Sequence, residues 1–325
     1  MGDADMIDVV IAWVDGDDPS HKAKRRMYMP SEMSQSDDIG GSTRFASRGE
    51  ILFCVGSVLR FAPFVHKVYI VTDSQRPDLD AFLHKNFPDN RIPIEIVDHK
   101  VLFRGYEQYL PTFNSLSIET MLYRVPGLEE RFVYFNDDFF ITSPLREDDW
   151  FDADGKAVCY GHKFSSAFAR LLRRLKPARN GHKPFGYKDA MLNAADVAGS
   201  PYFWYIPHAP IPLLRSWYVD FYERHPEMLE ANIRYRFRNP VQFNPQVLFY
   251  ILAGREGRCV TRSAKGLVEF FKPKPEKKGY MAKKLVEADS RDRLLFACIN
   301  SLDKASESDY ELFKAWVSSR LDVKF

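Results

Sequence analysis

The sequence predicts an α/β protein built on a doubly wound sheet with a helical insert or subdomain. Two observations predict it. Short runs rich in β-branched and aromatic residues alternate with stretches of helical spacing. Each such run then stops at a cluster of carboxylates, amides or histidine.

The first run, residues 6–14 (MIDVVIAWV), is nearly all apolar, as a central strand covered on both faces must be. It enters Asp15-Gly16-Asp17-Asp18-Pro19, a turn-forming cluster. At the end of a parallel strand those carboxylates stand where open α/β sheets bind ligands. The same residues also suit a solvated turn. Residues 20–49 are polar, with a Ser/Asp/Gly-rich middle, and read as a mobile loop leading into a helix. Residues 50–61 (EILFCVGSVLRF) have helical spacing and are stopped by Ala62-Pro63.

Residues 65–71 are a second strand, ending in Thr72-Asp73-Ser74-Gln75. Residues 77–86 read as a short helix, and 91–97 as a third strand ending at Asp98-His99. LPTFNS at 110–115 precedes a helix over 118–123. Asn114 or Ser115 can cap that helix, and such a start also accepts phosphate.

Residues 131–135 (RFVYF) form a fourth strand. Asn136, Asp137 and Asp138 follow at once, and Phe139 resumes the apolar run. Burying two adjacent carboxylates is costly unless something pairs them. A divalent cation carrying a phosphate is one such partner. A polar turn with both side chains in water is the other reading.

Residues 162–187 hold many Lys and Arg, few acids, and apolar residues including Phe164, Phe168, Leu171, Leu172 and Leu175. A basic amphipathic segment of this kind can lie on an anionic membrane, grip an anionic substrate, or cover the core as an ordinary helix. The proline-punctuated run 206–212 (IPHAPIP) cannot be helix interior and presents His208 from a rigid loop. Residues 216–229 and 247–253 read as helices, separated by a stretch carrying Arg234, Arg236 and Arg238. Residues 270–278 are a charged linker. Residues 294–299 are strand-like and end at Asn300, with Asp303 beyond, and 309–321 are a closing helix.

The chain has 325 residues, enough for one large domain or a core domain with a subdomain. Its net charge of +2 argues against a general polyanion binder, and no nucleic-acid partner is expected. Four scattered cysteines without a CxxC pair favour a reduced intracellular protein. The acidic start lacks the basic region of a signal peptide, and no apolar run approaches the roughly 20 residues of a spanning helix. A cytoplasmic protein is expected, with peripheral membrane contact through 163–183.

The chemical inventory is therefore carboxylates at strand ends, one histidine in a rigid loop and a cluster of arginines. Walker, GxGxxG and GxSxG motifs are absent. Carboxylates holding Mg²⁺ or Mn²⁺, with arginines on phosphate oxygens, are what phosphoryl or nucleotide-sugar chemistry requires. Spacing alone does not separate phosphoryl from glycosyl transfer.

The residues then resemble a known family. DVVIAWVDGDDP at 8–19 resembles the first conserved region of the Stealth proteins, which are the bacterial capsular polysaccharide phosphotransferases and the lysosomal-enzyme N-acetylglucosamine-1-phosphotransferase. The second region resembles Arg44 and Glu50, then VYIVTD at 68–73, His99, LPTFNS with Ile118-Glu119, and YFNDD at 134–138. The third resembles PHAP at 207–210 and the arginine stretch after it, and the fourth resembles FACIN at 296–300. Two departures stand out. Ser301 follows Asn300 where the family carries an acid, and either Arg236 or Arg238 matches the family's arginine, with Arg238 preferred.

The resemblance implies a Rossmann-like sheet related to the GT-A nucleotide-diphosphosugar transferases. It implies one catalytic domain over 1–325: a nucleotide-sugar core at 1–160, a basic insert at 161–200 and an acceptor side at 201–325. The implied reaction moves a hexose 1-phosphate from a UDP-sugar to a hydroxyl of an oligosaccharide or lipid-linked glycan, releasing UMP. Asp137 and Asp138 would hold the metal, Arg44 and Arg238 would stabilise phosphate charge, and His208 would be the general base. Asp15, Gly16, Asp73, His99, Asn114, Ser115, Asn136, Arg215 and Asn300 would bind substrate. A glycosyltransferase releasing UDP and a non-catalytic glycan- or membrane-binding protein stay open.

Overall fold

Val9, Val10 and Ile11 are wholly buried in the first strand, as a continuous apolar run demands of a strand covered on both faces. The computed structural model describes residues 6–29, 48–175 and 185–325. Arg44, most of the expected 20–49 loop, and the end of the basic segment from 176 to 184 lie outside the described residues.

The chain starts with β1 (Ile7–Ala12), α1 (Pro19–Tyr28), α2 (Glu50–Phe61), β2 (Lys67–Thr72), α3 (Asp80–Asn86) and β3 (Ile94–Asp98). Then come α4 (His99–Leu102), α5 (Ser115–Met121), β4 (Arg131–Asn136), β5 (Phe139–Ile141) and β6 (Ala157–Tyr160). The middle holds β7 (His162–Ser165), α6 (Ser166–Leu175), α7 (Tyr187–Val197), β8 (Tyr202–Tyr205) and β9 (Ile211–Leu214). The last third holds α8 (Arg215–Arg224), α9 (Pro226–Ile233), α10 (Pro245–Arg255), β10 (Cys259–Arg262) and β11 (Val268–Phe271). It closes with α11 (Tyr280–Asp289), β12 (Phe296–Ile299) and α12 (Glu307–Leu321).

The main sheet runs β3-β2-β1-β4-β9. The first four strands are mutually parallel, and β9 is antiparallel to β4. This is the doubly wound, Rossmann-like sheet expected from the alternation of runs. Its register pairs Ala12 with Asn136 and Thr72 with Asp98, so the polar residues after these strands gather at one edge. The opposite edge is tied by Asp8, which is fully buried. Its Oδ1 meets His66 Nδ1 at 3.0 Å, and its Oδ2 accepts from the Glu129 N–H at 2.9 Å.

At Asp137-Asp138 the chain turns out of the main sheet and enters a smaller one, ordered β11-β12-β5. The Ile299 N–H donates to the Asp138 carbonyl at 3.0 Å, which fixes the end of β12 against the turn. Phe139, Phe140, Phe296 and Phe271 are buried around this junction. Each fully buried aromatic side chain contributes about 2–3 kcal/mol of transfer free energy.

The insert opens with β7 and closes against β8, its antiparallel partner, with α6 and α7 between them. It is thus helical with a two-stranded neck, which the polar HKFS of β7 conceals. Gly161 precedes that neck at φ 147°, and a Cβ there would lie 2.4 Å from the Tyr205 carbonyl oxygen. Residues 19–28 form a helix where a loop is expected. Asp18 caps it by accepting from the His21 N–H, and Pro19 takes the first turn. Only His21 and Arg25 of α1 are buried, so no apolar stripe announces it. The expected helix over 216–229 is two helices, because Pro226 starts a new one after His225. Phe270 and Phe271 belong to β11 rather than to a linker. Among the described residues no helix is long and apolar enough to cross a membrane.

Candidate active site

The strand-end edge opens into a cleft of about 510 Å³. Trp13 and Val14 line it from the end of β1, His99 from the start of α4, Asn136 from the last position of β4, and Asp137 and Asp138 from the turn after it. Ser115 and Glu119 face it from α5, His208 from the loop between β8 and β9, and Arg238 from the loop before α10. Asn300 and Ser301 close it from the end of β12.

Burial raises the Asp137 carboxyl well above the usual range, reinforced by repulsion from Asp138 and Glu50. Burial also pushes Asp138 up to about 7, with Glu50 adding and the Cys298 thiol opposing. That thiol donates to Asp138 Oδ2 at 3.4 Å. A carboxylate pair strained toward neutrality, with no ion pair to Lys or Arg among the described residues, fits a divalent cation. Asp8, His66 and Glu129 also place ligand atoms within 4.8 Å of one another. They sit at the far edge of the sheet, and both Asp8 oxygens already serve the strand starts. That trio is a strut.

Arg238 Nη2 donates to Ser115 Oγ at 2.7 Å. Ser115 and Glu119 are four apart on α5 and share its face. Glu119 is buried, which raises its carboxyl, while the Arg238 charge opposes the rise. Tyr134 OH donates to Asn136 Oδ1 at 2.6 Å and so orients the amide beside the carboxylates. Arg236 points elsewhere and donates to the Gln108 and Leu110 carbonyls, which leaves Arg238 as the arginine of the cleft among the described residues.

The His208 ring stacks on Tyr187 with centroids 4.7 Å apart, with Phe270 at 5.1 Å and Phe139 edge-on at 6.3 Å. Burial, then the Arg238 charge, depress its pKa to about 4. The imidazole is therefore neutral at neutral pH and can accept a proton. At the other end of the cleft, burial likewise depresses His99 to about 4. Both His99 ring nitrogens, Trp13 Nε1 and Thr112 Oγ1 are buried without a hydrogen-bond partner among the described residues. Buried polar groups rarely stay unsatisfied, so this end calls for a ligand or water.

The structure separates the expected site residues into groups. His99, Ser115, Asn136, Asp137, Asp138, His208, Arg238 and Asn300 all line the cleft. Asp15 and Gly16 form the turn beyond Trp13 and Val14, just outside the wall, where Gln75 clamps the Asp15 backbone. Three other expected residues stand outside the wall. Asn114 is fully buried beneath the cleft, its amide donating to the Tyr235 carbonyl and Gln242 Oε1 while its oxygen caps α5. Asp73 is turned to Lys24 Nζ at 2.8 Å, fastening α1 to the end of β2. Arg215 follows β9, whose Leu214 pairs with Arg131 at the start of β4, so antiparallel pairing sends it to the wrong edge of the sheet. Asp303 lies outside the wall, and Ser301 takes the family's acidic position at φ 60°.

Glu119, Tyr187, Phe270, Cys298, Lys272 and Lys304 were missed as site residues. The four-residue step from Ser115 signals Glu119. The others are brought in by tertiary contacts alone.

Two family models match this chain: conserved region 1 of Stealth proteins over residues 6–33 and conserved region 2 over residues 44–159. The receptor polysaccharide phosphotransferase WefC of Streptococcus oralis is 30% identical, over 75% of this chain and 77% of its own length. The chain belongs to the Stealth family. A second Stealth relative, the capsular polysaccharide phosphotransferase cps1A of Actinobacillus pleuropneumoniae, is 33% identical over 73% of this chain and 62% of its own length. The Stealth regions matched contain Asp15, Ser115, Glu119 and the Asp137-Asp138 pair, whereas His208, Arg238 and Asn300 lie beyond them. Among solved structures, the galactosyltransferase LgtC with donor and acceptor sugar analogs aligns over 96% of this chain and 95% of its own. It does so at 10% identity and a TM-score of 0.47, too loose a likeness to carry an argument.

Proposed function

We propose that this Stealth protein is a sugar-1-phosphate transferase of polysaccharide synthesis. The donor is a UDP-sugar, with an N-acetylhexosamine as the favoured sugar, and the acceptor is a hydroxyl of an oligosaccharide or lipid-linked glycan. The observation that carries the reading is the meeting, in one cleft, of a carboxylate pair, a phosphate-suited arginine and a neutral histidine. Phosphotransferase relatives from several polysaccharide systems support it.

In this reading Asp137 and Asp138 are the residues that would hold Mg²⁺ or Mn²⁺, and the cation would supply charge neutralisation at the donor diphosphate. Arg238, steadied by Ser115, meets the oxygens of the transferred phosphate, and Lys272 and Lys304 add positive charge at the mouth. The unpartnered donors and acceptors of Trp13, His99 and Thr112 take the flat, neutral base of the nucleotide. His208 removes the proton of the acceptor hydroxyl. That oxygen bonds to the phosphorus bearing the sugar, the bond to the second phosphate breaks, and UMP leaves. Arg44 is assigned a phosphate by the family resemblance alone. The four cysteines are free thiols, in keeping with work on the cytoplasmic side. The core, insert and acceptor-side division at 160 and 200 belongs to the same proposal.

The test is the nucleotide released from a panel of UDP-sugars with Mg²⁺ and oligosaccharide acceptors. UMP that disappears in Asp137→Ala/Asp138→Ala protein supports the reading. UDP instead means glycosyl transfer at the same site.

A further inference from the structure

Helix α6 shows its apolar stripe to solvent. Phe168, Leu171, Leu172 and Leu175 fall at i, i+3, i+4 and i+7, one continuous face of a helix. Their exposures are 51%, 51%, 42% and 72%. On a helix packed over a core, that spacing is the buried face. The opposite side of α6 is the one held. Ser166 is buried, and Arg170 and Arg173 pair with Asp196 and Asp189 on α7. These two ion pairs fix the rotation of the helix so that the leucines point outward.

The sequence segment that carries the stripe is cationic. From residue 161 to 188 the sequence carries eight Lys and Arg and no Asp or Glu. Lys163 stands on the neighbouring strand β7, over the Tyr202 and Trp204 rings. An apolar stripe within a cationic field is the chemistry of an anionic lipid interface: side chains enter the acyl boundary while the cations meet headgroups. A second protein surface would instead have to supply a matching apolar groove as well as acidic residues.

We propose that α6 is a membrane-docking helix that seats the protein on an anionic bilayer through Phe168, Leu171, Leu172 and Leu175. The inference does not depend on the chemistry of the cleft, since α6 lies outside its wall. Docking here would bring the cleft, whose Tyr187 begins the next helix of the same insert, close to acceptors anchored in lipid.

The test is co-sedimentation of the full chain with vesicles of phosphatidylglycerol and phosphatidylcholine, or of phosphatidylcholine alone, without substrate. Binding is expected to the anionic vesicles, to weaken with salt, and to fall about ten-fold or more in Leu171→Glu/Leu175→Glu protein. Circular dichroism of that variant checks that it is folded, and Leu171→Ala/Leu175→Ala provides a milder second variant. Turnover on a soluble oligosaccharide should not change in either, which separates docking from catalysis. Equal binding by wild type and both variants would overturn the proposal. So would no vesicle binding together with a concentration-dependent dimer that the same substitutions abolish.

Discussion

Arg238 and Ser115 are 123 residues apart in sequence, yet the guanidinium donates to the hydroxyl at 2.7 Å. The contact joins the loop before α10 to the first turn of α5, and it fixes one cation in the wall of the cleft that the carboxylates line. Glu119, one turn further along α5, supplies the opposing charge that a partly buried guanidinium requires.

That arrangement makes Arg238→Lys a severe change. A lysine keeps the charge but loses the planar fork, so kcat should fall about a hundred-fold with the fold intact. Arg238→Met should also cost about 2 kcal/mol of stability, because Glu119 is left without its cation. Adding Glu119→Gln should recover most of that loss. Urea denaturation of the four proteins checks the cycle. Additive effects would mean the two side chains do not act as a pair.

The carboxylate pair predicts a pH dependence of the metal-free protein. Asp138 holds its proton to about 7 in the folded state, against an ordinary value of 3.8. Between those values the folded chain binds more protons than the unfolded one, so stability falls as pH rises through that window. Asp137, raised for the same reasons, acts in the same direction. His99 and His208, both lowered to about 4, act in the opposite direction, so the carboxylate effect is read as a difference between proteins. In chelator, thermal melts of wild type should lose stability from pH 5 to pH 7.5 relative to Asp137→Asn/Asp138→Asn protein, and Mn²⁺ should restore it in wild type alone.

His208 is held neutral by burial and by Arg238. If it takes the proton of the acceptor hydroxyl, His208→Gln should lower kcat about a hundred-fold while donor binding, read by calorimetry, stays within about two-fold. Phe270→Ala removes one wall of its aromatic cage and should raise the acceptor KM more than the donor KM. A His208→Gln enzyme with normal turnover would leave the histidine as a packing residue.

Gly161 tests the neck of the insert. Its φ is 147°, and the Tyr205 carbonyl oxygen stands 2.4 Å from where a Cβ would sit, which leaves no room for a side chain. Gly161→Ala should cost about 2–3 kcal/mol by chemical denaturation, since the obstacle is backbone that cannot swing aside. Gly199→Ala, with nothing within 4 Å, meets only its positive φ and should cost about 1 kcal/mol.

The sequence by itself determined the parallel core. Runs such as VVIA at 9–12 and FVYF at 132–135 have no polar face, so they must be covered on both sides. Once they pair in parallel, the residues after them share an edge. The carboxylate-bearing turn after the first strand, His99 and Asn136 through Asp138 were therefore legible as one edge, His208 stood out in its proline-punctuated loop, and the family resemblance favoured Arg238 among the arginines. Only the tertiary structure decided which way side chains turn. Asn114 and Asp73 stand at the right end of their elements, yet they spend their hydrogen bonds on Gln242 and Lys24. Arg215 was lost because its strand is antiparallel, a property of pairing partners rather than of composition. The same limit applies to α6. A period of 3.6 shows that a helix has two unlike faces, but its ion pairs to Asp189 and Asp196 decide which one meets solvent.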